Sequence, residues 1–229
     1  MKFNSNLSFK VATVAVLLIV ASHSTVVNAQ HNSRLEFGIH TTPLLCWFSS
    51  YSSDISDRAV RGGFNFGLTF NKYFSENYAF STGASLITAG GSFSYSDDIM
   101  LDLNKPATAP AGNRLVYNIK YLSIPVGVKL RTKQVGYISL FTNIGLDPKY
   151  AIGGNVEIPS QDMSKQNAYS ELNRFTIGYH VIGGMKYSLG GSTAIEIGIN
   201  FDSNFTNITK QPADNILHKM LGLHLGLNF

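Results

Sequence analysis

The 229-residue chain holds one cysteine, Cys46, and one tryptophan, Trp47. A lone thiol excludes an intramolecular disulfide, and a secreted chain without disulfides fits a bacterial envelope better than a stapled extracellular module. Charge is also scarce. Charged residues make up 14% of the chain, where a soluble domain usually carries about a quarter. The lysines and arginines are scattered with no basic stripe, which argues against a nucleic-acid surface. Beyond residue 30 no apolar run approaches the 18 or so residues of a membrane-crossing helix. There is no solenoid or propeller period and no Rossmann unit. None of these absences excludes a membrane protein that crosses with strands, whose signal per segment is weak.

The first residues read as an address and not as fold. Lys2 and Lys10 precede the apolar run Val11–Ala21, and Val27 and Ala29 stand at −3 and −1 of a cut before Gln30. This is the pattern of a secretory signal peptide over 1–29, and the run is short for an uncleaved anchor, which needs about 20 apolar residues. Cys46 lies too far downstream to be a lipid acceptor for such a signal. Residues 30–229 then form one domain. Loss of Lys2 and Lys10 lowers the formal charge of +4 to +2.

That domain alternates. Leu35, Phe37 and Ile39 oppose Glu36, Gly38 and His40, and Phe64, Phe66, Leu68 and Phe70 oppose Asn65, Gly67, Thr69 and Asn71. Six further segments follow, centred on 78–90, 115–131, 137–154, 174–189, 194–205 and 221–229. In the last of them Leu221, Leu223, Leu225, Leu227 and Phe229 share one face. A period of two is the strand signal. Connections alternate between long (about 43–61, 95–114, 155–172 and 203–215) and short (NKYFSEN, TKQVG, LGGST). This predicts an all-β fold: a closed, up-and-down, eight-stranded antiparallel transmembrane β-barrel with its long loops at the external end.

The non-apolar faces are Gly, Ser, Thr and Asn with few charges, so the apolar faces are expected to meet lipid and the polar ones a lumen. Tyr73, Phe74, Tyr78, Tyr137, Tyr187 and Phe229 lie near strand ends, where a periplasmic aromatic girdle belongs, although aromatics favour strands in any setting. The strand Leu221–Phe229 would close the barrel against the first, because backbone groups in hydrocarbon must all be paired. Pro43 and Pro125 leave strand parity open around them.

The segment YLSIPVGVKLR at Tyr121–Arg131, eight alternating strands, the signal peptide and the terminal Phe229 together resemble the PorT-like outer-membrane β-barrel proteins of Bacteroidetes. The resemblance implies a Gram-negative outer-membrane location. It also implies recognition of the C-terminal strand by the barrel assembly machinery, and in some members an envelope or secretion-complex partner. It does not fix function.

Glu36, Lys129, Arg131, Lys186 and Glu196 project inward on this parity. Buried charges must pair, so a luminal network is expected around Glu196 with Lys186 or Lys129, set against a gated ion path or luminal ligand site. His40, His180 and His224 share the inner face but lack the convergent spacing of a metal site, and Cys46 reads as a loop residue. No cofactor is expected, and no Ser/His/acid set is singled out that would make an enzyme. Asp97, Asp98 and Asp102 read as a solvated acidic loop. Trp47, Phe48 and Tyr51 read as external-loop aromatics suited to a partner, with the outer-leaflet belt at the end of the first strand as the alternative for Trp47 and Phe48. The expectation is a monomeric, non-enzymatic barrel in outer-membrane lipid. It would act as a structural, adhesive or envelope-complex component through its loops. A narrow channel or a transport or secretion accessory barrel is the alternative, and a soluble lipid-binding barrel a third.

Overall fold

The computed structural model describes residues 34–50, 55–101, 107–159, 163–210 and 216–229. The predicted signal peptide, Tyr51 and Asp102 lie outside the described residues. In chain order the strands are β1 (Leu35–Ser49), β2 (Ile55–Ala59), β3 (Arg61–Tyr73), β4 (Tyr78–Tyr95), β5 (Ile99–Leu101), β6 (Ala107–Ala109), β7 (Arg114–Ser123), β8 (Val126–Arg131), β9 (Ile138–Ile158), β10 (Met163–Asn167), β11 (Phe175–Gly190), β12 (Thr193–Asn204) and β13 (Leu217–Asn228).

Eight walls form the ring. β7 and β8 are two parts of one wall strand, since both pair with β4 on one side and β9 on the other. Antiparallel pairing then runs from β1 through β3, β4, β7/β8, β9, β11, β12 and β13 and back to β1. In the closing seam Gly38 pairs with Asn228 and Ser49 with Leu217. Phe229 donates its N–H to the Phe37 carbonyl at 2.7 Å and accepts from the Phe37 N–H at 3.3 Å. The terminal leucines thus lie on the outside of a closed wall.

Both prolines sit where a missing donor does little harm. The seam keeps one register on either side of Thr42 and Pro43, and between Gly38 and Ser49 those two residues alone go unpaired with β13. At Pro125 the wall strand breaks without changing parity. The Ile124 N–H donates to the Pro148 carbonyl at 3.1 Å, and the Thr82 hydroxyl donates to the Pro125 carbonyl at 2.9 Å. A carbonyl that loses its ladder partner inside an apolar slab needs such a substitute.

The short turns gather at one end. Phe74–Asn77 joins β3 to β4, residues 132–137 join β8 to β9, and Gly191–Ser192 joins β11 to β12. Gly190 and Gly191 adopt φ of 104° and 61° there, values a residue with a Cβ rarely takes. Phe74, Tyr78, Tyr137, Tyr187 and Phe229 are exposed at this end, with Phe74 and Tyr78 stacked at 6.3 Å. Tyr73 departs from the expected girdle. It turns inward and is buried, because it shares parity with luminal Asn71.

The faces exchange character partway up the wall. Along β8 and the end of β7 the outward residues are Leu122, Ile124, Val126 and Val128, and the inward ones include Ser123 and Lys129. Two residues higher the order reverses: Tyr117, Ile119 and Tyr121 are buried inside, while Asn118 and Lys120 are exposed outside. On β4, Leu86 faces out, and Ile87, Ala89 and Phe93 are buried. The lower part is dressed for hydrocarbon and the upper part for water, so one strand obeys the membrane rule and then the soluble rule.

This exchange corrects two expectations. β1 runs through Pro43 to Ser49, so Cys46 and Phe48 belong to a wall and not to a loop. Their parity carries both inside, where Phe48 packs on Phe93 with ring centroids 5.6 Å apart. Trp47 faces outward and is half-buried.

Replacing Leu223 by Lys, near the middle of the outward leucine run, is expected to cost about 2–4 kcal/mol, and Asn118→Lys about 0–1. Urea unfolding from phospholipid vesicles measures both, and equal costs would contradict the assigned boundary.

Candidate functional site

The lumen carries three layers. The lowest is an ion quartet built from β1, β8, β11 and β12. Lys129 Nζ donates to Glu196 Oε1 at 2.6 Å and lies 3.7 Å from Glu36 Oε1. Lys186 bonds Glu36 directly and lies 3.6 Å from Glu196 Oε1. Each ammonium therefore bridges both carboxylates, and the charges cancel. Asn71 donates to Glu36 at 3.2 Å. All four charged side chains are buried. The sequence places them there by parity alone, since each sits on the inward face of its strand.

Arg131 does not join them. It lies at the short-turn rim, half-buried, with its guanidinium donating to the Glu76 carbonyl at 3.0 Å and resting 4.9 Å from the centroid of Tyr73. The strand ends at Arg131, and its long side chain covers the short-turn mouth of the lumen over Tyr73, with its head at the rim.

The middle layer is a polar chamber of about 50 Å³ with His40, His180 and His224 among its lining residues. The rings of His40 and His224 lie 5.4 Å apart, so the seam does bring these two together. His40 Nδ1, His180 Nδ1 and the amide oxygens of Asn71, Asn143 and Asn200 make no hydrogen bond to protein. A lining of this polarity is suited to ordered water. The wall of the same layer holds a second charged cluster, absent from the sequence analysis. Fully buried Lys149 donates to Asp202 at 2.5 Å and to Asn204 Oδ1 at 2.9 Å, with Asp147 at 3.7 Å. Ser123 donates to Asp147. The inward parity of Asp147, Lys149 and Asp202 is readable from the alternation of β9 and β12, but their meeting depends on the register between strands.

The top layer is apolar. Phe93 stacks on Tyr117 with centroids 5.4 Å apart and planes 7° from parallel. Phe48 lies 4.9 Å from the His218 ring. Leu115, Ile119, Val156, Ile158, Leu172, Ile208, Ile216 and Met220 complete the cluster. Gly91 makes this possible, since a Cβ there would stand 2.5 Å from the Phe48 ring. The lumen is thus polar below and plugged above.

Outside, the β5–β6 hairpin rises with Met100 exposed. Asp98 accepts the Ala111 N–H at 2.7 Å, which ties it to its own loop. Asp97 is exposed.

A closed strand ring with an apolar belt below, a polar exterior above and long loops at one end defines an outer-membrane β-barrel. The family model described as outer membrane protein beta-barrel domain matches residues 28–210. The chain belongs to this family, and its location is the outer membrane of a Gram-negative bacterium. No match is found among curated proteins. Among solved structures the chain is similar to Neisserial surface protein A, at 12% identity and TM-score 0.48, covering 84% of this chain and 97% of that one. It is also similar to Ail, the attachment invasion locus protein of Yersinia pestis, at 12% and 0.42, covering 85% and 98%. OprG of Pseudomonas aeruginosa matches at 14% and 0.42, covering 88% and 99%.

Removing one member of the quartet strands its partners. Glu36→Ala is expected to cost about 3–5 kcal/mol, and a joint Glu36→Gln and Lys186→Met change less than the sum of the singles. A double-mutant cycle by urea unfolding measures this coupling, and additive losses would contradict it.

Proposed function

We propose that this barrel is non-enzymatic and acts through its external surface, as a structural, adhesive or envelope-complex component. The observation that carries the reading is the sealed lumen. Its charges neutralise one another below, and an aromatic and aliphatic plug fills it above. An ion or solute entering from the short-turn end meets paired charges and then an apolar block, which disfavours the alternative of a narrow channel or transport accessory. His40, His180 and His224 are 8%, 5% and 5% exposed, too enclosed for a substrate to reach. That leaves the hairpin and loops above the belt as the surface offered to partners.

The same reading takes the strand ending at Phe229 as the element presented to the barrel assembly machinery, and the barrel as a monomer. It retains the PorT-like likeness, with a Bacteroidetes source and an envelope or secretion partner, on the strength of Tyr121–Arg131. It also retains residues 1–29 as the secretory signal.

Two measurements test the reading together. In planar bilayers the wild-type protein is expected to give no conductance steps, and steady single-channel openings would favour the channel. Replacing residues 96–113 by a short turn is expected to abolish surface adhesion or envelope-partner co-purification while the folded barrel persists. Loss of those phenotypes only on disturbing Glu196 and Lys129 would overturn the external assignment.

A further inference from the structure

The outer wall holds a polar trough on the side where β7, β9 and β10 meet. A register shift between Lys120 and Tyr121 inserts an extra residue in β9, so that Lys120 pairs with Gly153 and Tyr121 with Ala151. Ile152 and Gly153 therefore both face outward at the level where the wall changes from apolar to polar. A bulge at such a point bends the strand and re-aims its neighbours. Gly153 leaves open space where a side chain would stand. The resulting trough measures about 510 Å³, within the range of about 300–1,000 Å³ that small-ligand sites occupy.

Its floor is a row of amides. Asn118 on β7 pairs with Asn155 on β9, and Asn155 pairs in turn with Asn167 on β10. All three side chains are exposed. Lys120 stands one outward position below this row, and Glu157 one above. Tyr169 forms one end, with the Arg174 guanidinium 4.8 Å above its ring. Beneath Lys120 the wall turns apolar at once, through Leu122, Ile152 and Tyr150.

We infer that this trough binds the phosphorylated sugar headgroup of an outer-leaflet glycolipid. Asn118 and Asn155 offer donors and acceptors for sugar hydroxyls, Asn167 offers its amide N–H groups while its oxygen accepts from the Tyr169 N–H at 2.9 Å, and Glu157 accepts from further hydroxyls. Lys120 and Arg174 outnumber Glu157, which suits an anionic phosphate. The half-buried Tyr169 ring, covered on one face by Arg174, offers a sugar its remaining edge and the guanidinium stacked on it. The apolar wall directly below runs on into the lipid-covered belt, so the acyl chains of the same molecule would lie along Leu122 and Ile152. That continuity favours a membrane glycolipid over a free glycan.

The test uses the full mature barrel in detergent micelles, with purified rough-type lipopolysaccharide as the probe and its delipidated core oligosaccharide as the comparison. Lys120→Glu combined with Asn155→Ala is expected to weaken lipopolysaccharide binding at least about tenfold, equivalent to about 1.4 kcal/mol. Lys219→Glu, on the outward face of β13 away from the trough, is expected to leave it unchanged. If the first variant fails to give the compact unheated gel band, Asn118→Ala with Asn167→Ala reads the same floor without a charge change. The inference is overturned if the trough variants bind as tightly as wild type. It is also overturned if Lys219→Glu loses as much, or if the free oligosaccharide binds as tightly as the intact lipid.

Discussion

Hydrocarbon offers a backbone no hydrogen bonds, and nearly everything in this structure follows from that. A strand that crosses it must be paired on both sides, so the wall has to close. The seam between β1 and β13 is where this succeeds or fails, and the last residue of the chain, Phe229, is bonded in both directions to Phe37. Where the ladder is interrupted, at Pro43 and Pro125, the defect is kept to one or two positions. At Pro125 the exposed carbonyl is taken up by the Thr82 hydroxyl. Closure also dictates the polar lumen, because an outward apolar face leaves the alternate residues turned inward.

That inward face sets the second problem. Charged side chains in a narrow, enclosed space are costly unless paired. The quartet meets this with two carboxylates and two ammoniums, each bridging its opposites. The Lys149 cluster meets it differently, with one ammonium between two aspartates and with Asn204 and Ser123 supplying the remaining hydrogen-bond partners. These are arrangements that hold the lumen shut. An interior committed in this way is the reason the proposed role and the proposed glycolipid site are both sought on the outside.

Much of this was legible in the sequence, and the failures share one cause. Period-two alternation with alternating loop lengths gave the strand number, the ring and the orientation of Leu221–Phe229. It also placed Glu36, Lys129, Lys186 and Glu196 inside together. It failed for Phe48 and Cys46, because the assumption that apolar means outward holds only within the membrane. Above it water surrounds the barrel, and the same alternation means the opposite. Nothing in a single strand's sequence marks the height at which the meaning changes. Once the inward face is assigned, the height shows as the point on β7 where outward Asn118 and Lys120 give way to Leu122. Tyr73 keeps the inward parity of Asn71 to the end of its strand, and Arg131 rests on its ring at the short-turn end and so does not reach the quartet. The amide row Asn118–Asn155–Asn167 was invisible for another. It exists only across three strands whose register depends on the bulge at Ile152.

The change of face along the β7/β8 wall strand is measured most directly by a spin-label scan from Val116 to Leu130 in a Cys46→Ala background. Labels at 122, 124, 126, 128 and 130 should be reached by oxygen and shielded from a water-soluble nickel reagent. Labels at 118 and 120 should show the reverse. Outward labels that are water-accessible along the whole strand would contradict the account, because the terminal leucines would then have no hydrocarbon to cover them.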